Sequence, residues 1–167
     1  VARGHAERLV PMIAELPGGG KADEILVNCG PGSFTGVRVG LAAAKALGLA
    51  WGVPVKGYST HALLAAGVFA EHDLDRACIA IEGGHGEIFV QSFAARPLRA
   101  TDELRSLPPE ELEPQLVVAG SAAPKVAAKS ALSVKPEARL AALLPAELRS
   151  APPTAVYGRA PDAKPNP

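Results

Sequence analysis

The sequence predicts an α/β protein organised in two lobes. Two patterns and a composition carry that expectation. Between residues 25 and 69, short apolar runs alternate with helix-forming stretches, the order of a lobe with at least one parallel strand pair. Around residues 83–86, two apolar runs flank a glycine-rich turn, the pattern of a β-hairpin. The chain has 167 residues, 48% of them hydrophobic and 20% charged, enough to bury a core without disulfides.

Taken in order, residues 2–16 place Leu9, Met12, Ile13 and Leu16 at spacings of three and four, an amphipathic helix. Pro11 interrupts it and costs about 3 kcal/mol or kinks it, because its nitrogen cannot donate to the carbonyl of Glu7. Gly18, Gly19 and Gly20 end the helix. Ile25, Leu26 and Val27 read as a strand buried on both faces. A loop, GPGSFTG, leads into residues 37–51, which are rich in helix formers. Residues 53–58 form another strand, with Ser59 or Thr60 as N-cap of a helix through Leu63, Leu64, Val68 and Phe69.

A second lobe is expected from about Arg76, giving lobes at 1–75 and 76–167. Residues 77–82 and 87–93 are the hairpin strands, and TDELRSL and PEEL suggest short helices. Residues 115–120 read as a buried strand and 136–148 as a helix. From Pro152 onward five prolines predict an extended tail.

Seventeen basic and seventeen acidic residues leave no net charge, so no overall field draws the chain to RNA or to an anionic membrane. Cys29 and Cys78 lie far apart outside any CxxC pair and read as buried reduced thiols. No apolar run reaches the roughly twenty residues of a membrane helix and no basic-then-apolar leader is seen, so the expected location is the cytoplasm. Val1 falls at once into a helical pattern, which reads as a fragment whose natural start lies upstream.

The glycine-rich loop invites a phosphate reading that its details weaken. A P-loop needs Lys and Ser or Thr after its last glycine, whereas Gly36 is followed by Val37 and Arg38. The dinucleotide fingerprint is missed as well, since Gly30, Gly32 and Gly36 give GxGxxxG. What survives is a helix start at Gly32, Ser33, Thr35 and Gly36, whose free N–H groups can hold an anion with help from Arg38, or whose Ser33 or Thr35 simply caps the helix. Along the helix, Gly36, Gly40, Ala44 and Gly48 recur every four residues. Internal glycines weaken a helix by up to about 1 kcal/mol each, so the stripe implies close approach by another backbone, within the chain or on another subunit.

Other candidates for chemistry are sparse. Glu82, His85 and Glu87 can be drawn as acid, base and orienting group, or read as ordinary turn residues. His5, His61 and His72 have no partner at HxxxH or HExxH spacing, and no GxSxG elbow occurs. The residues themselves assemble no independent catalytic site and no metal site.

GPGSFTGVRVGLAAAKALGLAWGVPVKGYSTHALLA, residues 30–65, resembles the signature of the bacterial TsaB (YeaZ) family. GHAERLVPMIAEL at 4–16 is similar to the family's first long helix, IEGGHGEIF at 81–89 to its hairpin, and VYGRAPDAK at 156–164 to its tail. The resemblance implies an actin-like, sugar-kinase and Hsp70-type (ribonuclease H-like) two-lobed fold, here without the strands that precede the family's first helix. It implies a non-catalytic scaffold for TsaD, the subunit that forms N6-threonylcarbamoyladenosine at position 37 of tRNAs. The implied partners are TsaD and the ATPase TsaE, a homodimer when the chain is alone, and tRNA only through the complex. No cofactor of its own is implied, with ATP or ADP at most shared at the TsaD interface. Carried over, the contact helices put His5, Leu9, Met12 and Leu16 on one helix and Val37, Gly40, Leu41, Ala44 and Gly48 on the other. The hairpin departs from the family's Asp-Ala-Arg at Glu82, Gly83 and Gly84. The alternatives are a small nucleotide-dependent phosphotransferase of the same superfamily, using residues 33–38, and a glycoprotease-like metallopeptidase.

Overall fold

The computed structural model describes residues 5–113, 116–126 and 131–158. They fall into two compact units. The first comprises Val1–Thr60 and Pro145–Val156, the second His61–Leu144 and Tyr157–Pro167. The division therefore comes at residue 60, not near Arg76 as the sequence pattern suggests, and the chain re-enters the first unit late.

In the first unit, α1 (His5–Ala14) runs through Pro11 without a break. It is stopped by a turn in which Gly18, Gly19 and Gly20 all take positive φ, a conformation that costs other residues about 1 kcal/mol or more. β1 (Ile25–Asn28) pairs in parallel with β2 (Val55–Tyr58), Ile25 opposite Val55 and Asn28 opposite Tyr58. Between them α2 (Phe34–Trp51) packs against the pair, so the unit is a βαβ crossover. Its core is Val27, Cys29, Leu41 and Ala44, flanked by Ile25, Val37, Val55 and Ala155. Gly52 at φ 69° ends α2, its N–H donating to the Gly48 carbonyl; this left-handed cap is why glycine stands there.

In the second unit, α3 (Thr60–Glu71, entering the unit at His61) is buried continuously from His61 to Val68. Six strands form its sheet: β3 (Arg76–Glu82), β4 (Ile88–Ala95), β5 (Leu98–Ala100), β6 (Arg105–Leu107), β7 (Val118–Ala119) and β8 (Ala131–Leu132). The order is β5-β4-β3-β7-β8, with β6 also on β4. β3 and β4 are antiparallel, Glu82 opposite Ile88, whereas β7 runs parallel to both β3 and β8. Period-two alternation sends Cys78, Ala80, Ile88 and Val90 into one core with Leu107, Val118, Ala122 and Ala123. Ile79, Ile81, Phe89 and Phe93 alternate with them and are buried too. α4 (Ala123–Val126) closes the first of these faces.

Three expectations are corrected here. Residues 105–107, read as helix, form β6, because Leu107 is buried when it pairs with Ile88 and Ser106 hydroxyl donates to Glu87 Oε2 at 2.7 Å. Residues 136–148 form two short 3-10 turns, Ala138–Leu143 and Ala146–Leu148, because Pro145 cannot continue a helix while Leu140, Ala141 and Leu144 are buried. The strand of residues 115–120 is only Val118–Ala119, and Gln115 lies outside the described residues. The tail beyond Gly158, including most of VYGRAPDAK, is also outside them.

Candidate functional site

The two helices of the first unit carry the expected partner surface, and the structure divides it. On α1, Val10 and Met12 are 54% and 58% exposed, as is Leu16 just beyond its end at 54%, while Leu9 and Ile13 are half-buried. A helix normally keeps its large apolar groups on one covered face; here Val10 and Met12, two residues apart and so on different sides of α1, are both left open among the described residues. His5 begins α1, and its side chain lies outside the described residues.

On α2 the expectation of a smooth partner-facing stripe is corrected. Leu41, Ala44 and Gly48 are buried, and Val37 packs with Leu41 and Ala44 on β1 and β2. A methyl on Gly48 would overlap the Val55 side chain and lie 3.2 Å from the Val53 carbonyl oxygen. The close neighbours of Gly48 are the Val53 backbone after the helix and the Val55 side chain on β2, not a second helix. Gly36 belongs to the cap, where a methyl would touch Ser33 at 3.4 Å. Within the stripe, Gly40 alone has nothing within 4 Å of an added methyl. Because residues 40, 43 and 47 lie about one turn apart on the same flank, half-exposed Gly40 and Ala43 form a small-residue notch that remains open, bounded by the half-exposed Leu47. The implied contact set of Val37, Gly40, Leu41, Ala44 and Gly48 carried the warning, since large apolar residues interleaved with small ones mark a core face.

The helix start is a built turn. Ser33 Oγ accepts the Gly36 N–H at 3.3 Å and the Ser33 carbonyl accepts the Val37 N–H at 2.9 Å, so Ser33, not Thr35, is the cap. Arg38 lies with its guanidinium 3.9 Å from the centre of the Phe34 ring, a cation–π contact. Gly32, Ser33 and Thr35 are exposed and Gly36 is half-exposed. One of the four N–H groups that a helix start leaves without an intrahelical partner is thus already satisfied by the cap.

Asn28 is the organising residue that the motif search missed. Its Oδ1 accepts the Gly30 N–H at 2.7 Å and the Thr60 hydroxyl at 3.0 Å, tying the end of β1 to the loop and to the residue that opens α3. Thr60 N–H also donates to the Gly30 carbonyl at 2.8 Å. Gly30 itself has φ 98°. An Asn two residues before a glycine is a legible signal for such a side-chain clamp. Cys29, only 2% exposed, sits behind this clamp, and burial pushes its thiol pKa up. The neighbouring Tyr58 hydroxyl is raised by burial as well.

In the second unit, Glu82, His85 and Glu87 surround the hairpin turn with structural partners. Glu82 pairs with Lys125 at 2.7 Å, its N–H donates to Ser121 Oγ at 3.0 Å, and Glu87 accepts the Ser106 hydroxyl. His85 holds a left-handed φ of 62°. His61 is fully buried with Nε2 at 3.0 Å from the Phe89 carbonyl oxygen, which makes Nε2 the protonated nitrogen; Nδ1 is buried without a partner. Burial depresses its pKa, against a smaller opposing effect of the Phe89 bond. Among the described residues no group of three or more His, Cys, Asp or Glu is placed to hold a metal ion, and no helix is long and apolar enough to cross a membrane.

Comparison with known proteins follows the same lines. The family model described as TsaD, tRNA N6-adenosine threonylcarbamoyltransferase, matches residues 1–113. An uncharacterized protein of Mycobacterium tuberculosis is 31% identical over 98% of this chain and 79% of its own length. The tRNA threonylcarbamoyladenosine biosynthesis protein TsaB of Escherichia coli is 33% identical over 52% of this chain and 40% of its own length. Among solved structures, YeaZ from Pseudomonas aeruginosa superposes with a TM-score of 0.75 at 25% identity, covering 92% of this chain and 84% of YeaZ.

Proposed function

The chain belongs to the TsaD family, as a TsaB-like member with the actin-like fold, and on that premise we propose that it serves tRNA threonylcarbamoyladenosine biosynthesis as a non-catalytic scaffold for TsaD. The observation that carries this reading is the open surface of the first unit: the exposed Val10 and Met12 of α1 and Leu16 just beyond it, together with the unfilled notch at Gly40 and Ala43 of α2. Exposed large apolar groups and a notch of minimal side chains suit docking of another helix pair, with knobs at one place and close backbone approach at the other. The partner is TsaD; in its absence a second copy of this chain covers the same surface. TsaE joins through TsaD, and tRNA and any ATP or ADP are held by the assembled complex in the cytoplasm, the nucleotide at the TsaD interface.

The proposal is tested at Gly40, the stripe position where bulk can be added without touching the chain's own core. Gly40→Leu fills the open notch and is expected to abolish co-purification with TsaD while leaving the isolated chain folded. Retention of TsaD by this variant at wild-type level removes α2 from the interface. Ala44→Leu is the poorer probe, since Ala44 is buried against β1 and the substitution overfills the core.

A further inference from the structure

In open α/β units, ligands approach the carboxyl ends of the parallel strands. In the first unit that place is filled by the chain itself. Residues 151–156 cross the carboxyl ends of β1 and β2. Ala151 and Gly57 exchange backbone hydrogen bonds of 2.7 and 3.2 Å, and Val156 N–H donates to the Cys29 carbonyl at 2.8 Å. The seat is cut for the segment by two glycines. A methyl on Gly57 would lie 2.9 Å from the Pro152 carbonyl oxygen, and one on Gly30 2.8 Å from that of Val156. Gly30, the first glycine of the phosphate-like motif, is thereby explained by contact with the protein's own tail.

The segment is held lightly for what it covers. Its backbone makes three hydrogen bonds to the strand ends, and of its side chains only Ala155 packs on the Val27, Cys29, Leu41 and Ala44 core. Ala151, Pro152, Thr154 and Val156 are exposed. Beneath them Cys29 is 2% exposed, with Sγ 3.8 Å from the Pro152 carbonyl oxygen. Few buried apolar contacts and exposed backbone hydrogen bonds are the features of a segment that opens before the sheet under it. We propose that residues 151–156 are a detachable strap that closes the carboxyl mouth of the β1–β2 pair and opens as a unit, exposing Cys29 and the Gly30 loop while the sheet stays paired.

Amide hydrogen exchange on the unmodified chain provides one test. The amides that bond the strap to its seat, Ala151, Val156 and Gly57, are expected to exchange together and at least about a hundredfold faster than the sheet amides of Ile25 and Cys29, as local opening demands. Exchange of both sets at one rate shows the segment to be a permanent part of the sheet and overturns the proposal. The second test labels Cys29 with a thiol reagent in a Cys78→Ala background. Val156→Pro and Ala151→Pro each delete one strap donor without altering the seat. Either should speed labelling about fivefold and the pair about thirtyfold, at the usual net value of a backbone hydrogen bond. If labelling is unchanged in variants whose circular dichroism and melting match the parent, the strap does not gate the thiol.

Discussion

Gly48 and Gly40 occupy the same helix, eight residues apart, and the structure assigns them opposite responses to one methyl group. In either case replacing glycine by alanine relieves the helix of up to about 1 kcal/mol of backbone entropy. At Gly40 nothing lies within 4 Å of the added carbon, so the gain is kept. At Gly48 the carbon overlaps the Val55 side chain and stands 3.2 Å from the Val53 carbonyl oxygen. Val55 is β-branched on a paired strand, with one preferred rotamer and little room to withdraw, and overpacking of this kind costs about 1–3 kcal/mol. Gly40→Ala should therefore be more stable than the parent by about 1 kcal/mol and Gly48→Ala less stable by about 0–2. For a chain of this size each kcal/mol moves the melting midpoint by about 2–4 °C. Thermal unfolding followed by circular dichroism, at two protein concentrations to separate any self-association, measures both. If Gly48→Ala melts at or above Gly40→Ala, the packing of α2 on β2 is not as described and the division of the glycine stripe fails with it.

Two further outcomes are expected. His61 is neutral when buried and its folded pKa lies below the unfolded value of about 6.5, so the unfolded chain takes up a proton first as pH falls. Stability should be full above about pH 6.5 and decline toward the folded pKa by up to about 1.4 kcal/mol per pH unit; His61→Gln, which keeps a donor for the Phe89 carbonyl, should flatten that decline in urea titrations from pH 5 to 7. Ser33→Ala removes the acceptor of the Gly36 N–H and should lower stability by about 1 kcal/mol in the same titrations, whereas an unchanged midpoint would mean that the cap contributes nothing.

Local sequence determined a good part of this protein. The βαβ order at residues 25–58, the glycine stop after α1 and the hairpin at 76–95 were legible because each depends on neighbours in the chain: continuous apolar runs, positive φ that glycine favours, alternation across a turn. The GPGSFTG-x-R stretch carried the family, and Ser33 carried the helix start. Tertiary structure decided the rest, wherever the relevant partner lies far along the chain. β6 is a strand because β4 offers Leu107 a buried edge, against the helical preference of its own segment. The return of residues 145–156 to the first unit has no local signature at all. The spacing of Gly36, Gly40, Ala44 and Gly48 specified a smooth helix face, but spacing cannot say which neighbour fills it. That depended on where β2 lies, and β2 took Ala44 and Gly48 for the core and left Gly40 open, because only a three-dimensional neighbour distinguishes one small residue from another.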